Sequence, residues 1–185
     1  MSDIVFVVGS QQTSQLRIPA HKYVLATSSS VFYAMFYGSL ADNKQEIEIP
    51  DIEPNAFLTM LRYLYCDEIR IEEESILSLL YCAKKYLLPQ LSRLCVQYLE
   101  SNLTHENACL LLSQSRLFDE GELVERCFEV IDAQAELALA SDGFLDIDHD
   151  TLTQIASRET LHVKEVSLQI KFPSIKYDFP KDNNI

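Results

Sequence analysis

Asp146, Asp148 and Asp150 stand at alternate positions, the spacing of the first three ligands of a calcium loop. Such a loop needs glycine at its sixth position for the sharp turn and a bidentate glutamate at its twelfth. Thr151 and Ser157 stand there instead. The aspartates therefore read as the solvated start of a helix, where carboxylates meet the positive end of the dipole. His21, His105, His149 and His162 never pair at i, i+4 and have no cysteine at ligand spacing, so they read as structural or surface histidines rather than a zinc set. Cys66, Cys82, Cys95, Cys109 and Cys127 contain no CxxC pair and read as reduced thiols acting as small buried hydrophobes, as expected in cytosol or nucleus. Glu72-Glu73-Glu74 reads as a charged helix start. The four glycines stand apart, so no loop can cradle phosphate, and no nucleophile elbow occurs. Catalysis, metal and cofactor chemistry have no foothold, and an interaction module is expected in place of an enzyme.

The elements that carry these residues follow from periodicity. Ile4-Val5-Phe6-Val7-Val8, closed by Gly9, and the alternating Gln15-Leu16-Arg17-Ile18 read as a β-hairpin. His21 to Ala26 turns helical, and Ser29 or Ser30 can cap a second helix with Val31, Phe32, Met35 and Phe36 on one face and Gly38 as its stop. Glu46-Ile47-Glu48-Ile49 alternates as a third strand, isoleucines inward, ended by Pro50. From Pro54 a helix is expected on Phe57, Met60, Leu61 and Leu64. Another, capped by Ser75, should bury Ile76, Leu79, Leu80, Ala83 and Leu87; Pro89 breaks it before a helix on Leu91, Leu94, Cys95 and Tyr98. Thr104 can cap a helix on Ala108, Leu111 and Leu112. A longer helix is expected from Gly121 to Ala140 on Leu123, Cys127, Val130, Ile131 and Gln134, and a short last one from Asp150 to Ser157.

A chain of 185 residues, 48% hydrophobic and 23% charged, can bury a substantial core, and only four glycines and six prolines argue for a helix-rich fold. Fifteen basic against 28 acidic side chains give a net charge of -13, which repels phosphate backbones and anionic headgroups. Nucleic acid and membrane partners are not expected, and no apolar run reaches the length of a membrane span or secretion signal. Residues 1–103 hold eight basic and twelve acidic side chains (net -4), residues 104–169 four and fourteen (net -10), and the remainder three and two (net +1). Two compositional units and a tail follow.

Ser2-Asp3-Ile4-Val5-Phe6-Val7-Val8, with Ile18-Pro19-Ala20-His21-Lys22-Tyr23-Val24-Leu25-Ala26, resembles the BTB/POZ domain. So do Val31 to Gly38, Ile47-Glu48-Ile49-Pro50-Asp51, Leu61-Arg62-Tyr63-Leu64-Tyr65 and Ala83-Lys84-Lys85-Tyr86. The resemblance covers residues 2–103 and implies an α+β fold, a three-stranded sheet capped by helices. Glu106 to Gln114 resembles the start of a helical BACK domain, expected to be partial over residues 104–168 and followed by a divergent, flexible tail at 169–185. Val130-Ile131-Asp132-Ala133-Gln134-Ala135-Glu136 and Glu159-Thr160-Leu161 resemble the BTB-BACK-PHR proteins in particular.

That resemblance implies a cytoplasmic, and also nuclear, adaptor bringing clients to the cullin-3 ubiquitin ligase, with no cofactor. The family's cullin motif, an apolar residue, any residue and then glutamate, falls on Leu40, Ala41 and Asp42; aspartate keeps the charge but is one methylene shorter. Ala34, Met35 and Tyr37 carry over as adjoining cullin surface, and Asn107 and Leu111 as contacts beyond the BTB domain. Asp3, His21, Lys22, Val24 and Leu25 carry over as the dimer interface, Asp3 and Lys22 as a charged pair. The family's N-terminal helix and PHR domain have no counterpart in the sequence. A weak homodimer, or pairing with related BTB proteins, is therefore expected, with the chain competing against full-length relatives and Leu123, Val130 and Ile131 left exposed by an incomplete BACK segment. The alternative is a self-associating scaffold for transcriptional repression, which the absence of C2H2 zinc-finger spacing disfavours.

Overall fold

Ile4–Val8 forms strand β1, and its β-branched and aromatic residues place it at the centre of a three-stranded sheet of order β2-β1-β3. The computed structural model describes residues 2–10, 15–39, 41 and 44–158. β2 (Leu16–Ala20) runs antiparallel to β1, pairing Ile4 with Ala20 and Val8 with Leu16. β3 (Glu46–Ile49) runs parallel to β1 on its other side, pairing Val5 with Glu46 and Val8 with Ile49. β2 extends two residues beyond the expected Ile18, through Pro19. An edge strand tolerates this, because Pro19 pairs with Val5, whose own N–H turns away to the carbonyl of Gln45. Of the β3 isoleucines Ile49 is buried, whereas Ile47 is only half-buried.

Nine helices stand among the described residues: α1 (Lys22–Ser28), α2 (Ser30–Tyr37), α3 (Pro54–Cys66), α4 (Ile76–Lys85), α5 (Pro89–Ser101), α6 (Ala108–Leu117), α7 (Gly121–Ala133), α8 (Ala135–Ala140) and α9 (His149–Ala156). The sheet followed by helices is an α+β fold. The chain divides into two units, residues 1–99 and 100–185. The first is built on an aromatic cluster. Phe32 and Tyr86 stack with ring centroids 4.3 Å apart, and Phe57 meets Phe6 edge-on at 5.1 Å. Phe36 stacks on Phe32 at 5.8 Å, and all five rings are buried.

Several helix details differ from the periodic reading. α4 ends at Lys85, because the N–H of Leu88 closes on the Ala83 carbonyl and that of Leu87 on Lys84, a Schellman turn. Leu87 therefore stands in the left-handed region at φ 51° and is 61% exposed, and Tyr86 and Leu88 take the buried places expected of it. Ser75 does not cap α4. It ends a 3-10 turn (Glu73–Ser75), and its hydroxyl donates to the Glu72 carbonyl. In α5 the buried stripe is Leu91, Cys95 and Leu99, spaced by four, and Leu94 falls outside it.

The second unit shows the same kind of adjustment. The Asn107 side chain, not that of Thr104, closes the approach to α6, accepting the Thr104 N–H at 2.8 Å and donating to the Asn102 carbonyl at 2.9 Å. The single helix expected from Gly121 to Ala140 is two, broken at Gln134 (φ -134°, ψ 44°). The break leaves Gln134 exposed and turns Ala135, Ala138 and Leu139 inward. Leu123 and Ile131 are buried and Val130 half-buried, so they do not form the exposed face expected of them. α9 is capped by Asp148, which accepts the Thr151 N–H at 2.8 Å and the hydroxyls of Thr151 and Ser113 at 2.6 Å.

Candidate functional site

Ser29 sets the position of α2. Its hydroxyl accepts the Phe32 N–H at 3.2 Å and donates to the Tyr86 carbonyl at 2.6 Å, tying the start of α2 to the end of α4. Phe32 and Phe36 point into the aromatic cluster, and the helix is thereby fixed with Tyr33, Ala34 and Tyr37 outward and Met35 half-buried. At the far end Gly38 lies so close to the Ala34 carbonyl that a Cβ would collide with that oxygen, which restricts the exit from α2 to glycine.

The outward face of α2 is uncharged, and so is the whole stretch from residue 23 to residue 41, in a chain of which 23% of residues are charged. Binding there desolvates no ion, and tyrosine and methionine are the residue types enriched at interface centres. Ala34 and Tyr37 are exposed on this face. Leu40 and Asp42 lie outside the described residues. Asn107 and Leu111 belong to the second unit: the Asn107 amide is engaged at the approach to α6, and Leu111 is buried.

Around α1 the residues assigned to the dimer surface take different roles. The Asp3 carboxylate accepts the backbone N–H of Lys22 at 2.8 Å, so it caps the helix instead of pairing with the ammonium. The Lys22 ammonium lies 5.9 Å from the Phe36 ring centroid. The Tyr65 hydroxyl accepts the His21 N–H at 2.8 Å and lies 2.9 Å from His21 Nδ1, linking α3 to α1. Val24 is half-buried. Leu25 is wholly buried, so it supports α1 from beneath and is not available to a partner; Tyr23, 73% exposed, is the side chain that α1 presents.

Tyr23 and Tyr33 are exposed aromatics of this stretch that the sequence reading does not name as site residues. The signal was present: both fall in the charge-free stretch, and Tyr33 lies off the Phe32/Phe36 stripe. The thiols offer no competing chemistry in the core. Burial raises Cys82, Cys95 and Cys127 to about 12 and Cys109 to about 11, far from thiolate formation near neutrality. Cys66 is the exposed one. Among the described residues no helix is long and apolar enough to cross a membrane.

Residues 1–103 match the BTB/POZ domain. The chain is 60% identical over 166 residues to BTB/POZ domain-containing protein 3 of Homo sapiens, covering 90% of this chain and 32% of that protein. It is 59% identical over 165 residues to BTB/POZ domain-containing protein 6 of Mus musculus, covering 89% of this chain and 30% of that protein. The chain thus spans about a third of the length of the curated relatives it matches. The matched length exceeds that of the domain, so the similarity continues into the second unit. No catalytic family is indicated, and BTB domains serve self-association and the binding of protein partners. The chain belongs to the BTB/POZ domain family, and its first unit is a protein–protein interaction module of that fold.

Proposed function

We propose that this chain is an adaptor of the cullin-3 ubiquitin ligase, of the BTB-BACK-PHR type, which docks on the cullin through the outward face of α2 and the loop that follows. The observation that carries this reading is the charge-free, aromatic face of a rigidly capped helix in an otherwise acidic chain. Ala34, Met35 and Tyr37 stand there, and Leu40 and Asp42 follow directly in sequence. The second unit, residues 100–158 as described, serves in this reading as the beginning of a BACK domain. Asp3, His21, Lys22 and Val24, with Tyr23, belong to a self-association surface. The site of action is cytoplasm or nucleus.

The test is calorimetric titration with the N-terminal region of cullin-3. The unaltered chain should bind, and Ala34→Glu combined with Tyr37→Ala should abolish binding while leaving the unfolding transition in place. An unaltered chain that shows no heat and no co-sedimentation with the cullin at micromolar concentration would remove the adaptor reading.

A further inference from the structure

α9 is eight residues long, too short to persist as a helix without tertiary support. Among the described residues α6 and α7 approach one another closely, whereas α9 approaches no other element closely along its length. Its buried side chains are Thr151, Leu152 and Ile155, and a charged cluster holds each of its ends. At the first end Asp148 accepts the Ser113 hydroxyl of α6, while Arg116 of α6 donates from Nη1 to Thr151 Oγ1 at 2.8 Å and lies 3.9 Å from Asp148 Oδ1. At the other end Arg158, two residues beyond α9, donates from Nε to the two Asp132 carboxylate oxygens at 3.1 and 3.2 Å and from Nη2 to Oδ2 at 2.5 Å. Its guanidinium carbon lies 4.3 Å from the Phe128 ring centroid. Phe128 and Asp132 stand one turn apart on α7, so a single side chain grips that helix by a planar fork and by stacking, a combination lysine cannot reproduce.

We infer that α9 is a strap tying α6 to α7, that it opens as a unit while those two helices stay paired, and that Arg158 is its release point. A short helix with few close backbone neighbours belongs to the low-stability end of a fold, where segments open locally before the whole unit does. The Arg158 clasp is the place to open it from. Removing the guanidinium takes the fork from a carboxylate whose side chain is only 17% exposed and uncovers one face of Phe128.

The experiment is amide hydrogen exchange on the full chain, read by mass spectrometry on peptides from α6, α7 and α9, for the unaltered protein, Arg158→Gln and Arg158→Lys. In the unaltered chain the α9 amides should exchange at least about tenfold faster than those of α6 and α7. Arg158→Gln should speed α9 at least about tenfold further and leave α6 and α7 within about threefold of their unaltered rates. Arg158→Lys, which keeps the charge and loses the fork, should fall between the two. Equal protection of all three helices in the unaltered chain overturns the strap, because α9 then opens only with the whole unit. Acceleration of α6 and α7 together with α9 in Arg158→Gln overturns it as well, since a merely structural role destabilises the three alike. An α9 that Arg158→Gln does not accelerate overturns Arg158 as the release point. Should Arg158→Gln fail to fold, Arg158→Lys decides by the same comparison of α9 with α6 and α7. Failure of both makes the clasp part of the unit's core and overturns the inference.

Discussion

Helices α2 and α7 are built alike on their inner faces and differ on their outer ones. α2 buries Phe32 and Phe36; α7 buries Leu123, Cys127 and Ile131 at a spacing of four. Outward, α7 shows Glu122, Glu125, Arg126 and Glu129, with Arg126 and Glu129 paired at 2.7 Å. That pair is exposed on both sides and contributes little to stability, so the face serves mainly to stay hydrated. α2 shows two tyrosines and an alanine in the same kind of position. Amphipathic periodicity locates the core in both cases, but only the chemistry of the outer face separates a solvated helix from one that can be covered.

The comparison is sharpest between neighbours on α2. Phe32→Ala removes a fully buried ring stacked on Tyr86 and should cost about 3–5 kcal/mol, enough to unfold much of the first unit in urea titrations. The next residue behaves differently. Tyr33→Ala should change stability by less than about 0.5 kcal/mol, because the ring projects outward. If the two substitutions destabilise equally, the division of α2 into a core face and a contact face is wrong.

A smaller effect distinguishes the helix caps of the two units. Ser29→Ala removes both the cap of α2 and its tie to Tyr86, and should cost about 1–2 kcal/mol at any pH between 5 and 8, the Ser29 hydroxyl being uncharged there. Asp148 caps α9 with a charge. Hydrogen bonds from Ser113 and then Thr151 hold its carboxyl well below the usual carboxylate range. Its contribution is present above the unfolded value, about 3.9, and is lost as pH falls through the lower folded value. The carboxylate is half-exposed, so solvent screens part of the effect. Asp148→Asn should therefore lower stability modestly at pH 7, and its effect should begin to fade near about pH 4 and shrink progressively as pH falls further towards the folded value, read from denaturation midpoints across pH. A deficit that persists into acid would show that hydrogen-bond geometry, not charge, makes the cap.

Sequence reading located most elements of the fold. Strong periodicity and Pro54 marked α3, and Ser29 was one of two serines proposed as the α2 cap; the structure selects it because its hydroxyl also finds the Tyr86 carbonyl, a partner 57 residues away. Local pattern carries no such long-range information. The same limit explains Leu87 and Gln134. Periodic extension placed both in buried stripes, whereas turn closure at Lys84 and Ala83, and the backbone break between α7 and α8, decided their exposure. For the site, the resemblance named Ala34 and Tyr37, both exposed, and Leu25, wholly buried. A two-residue step along α1, from Tyr23 to Leu25, separates the presented from the buried side chain, and only packing resolves it.

The two Schellman turns supply the smallest and most local comparison. After α4, Leu87 takes the left-handed position at φ 51°, and after α6, Asp119 takes it at φ 56°. In the second turn Glu120 closes on the Ser115 carbonyl and Asp119 on Arg116, the same pair of bonds made by Leu88 and Leu87. The backbone is alike and the residue differs. Leucine has no means of relieving the contact between its Cβ and the following carbonyl, whereas aspartate visits this region more readily. Leu87→Gly should therefore stabilise the first unit by up to about 1 kcal/mol, part of the gain being offset by the greater freedom of glycine in the unfolded chain. Exposure at 61% means that removal of the side chain forfeits little packing. Asp119→Gly should gain less than Leu87→Gly, since less strain is there to release. Urea midpoints of both variants check the order. A larger gain at Asp119, or a loss at Leu87, would mean that the leucine side chain contributes contacts that outweigh its backbone strain.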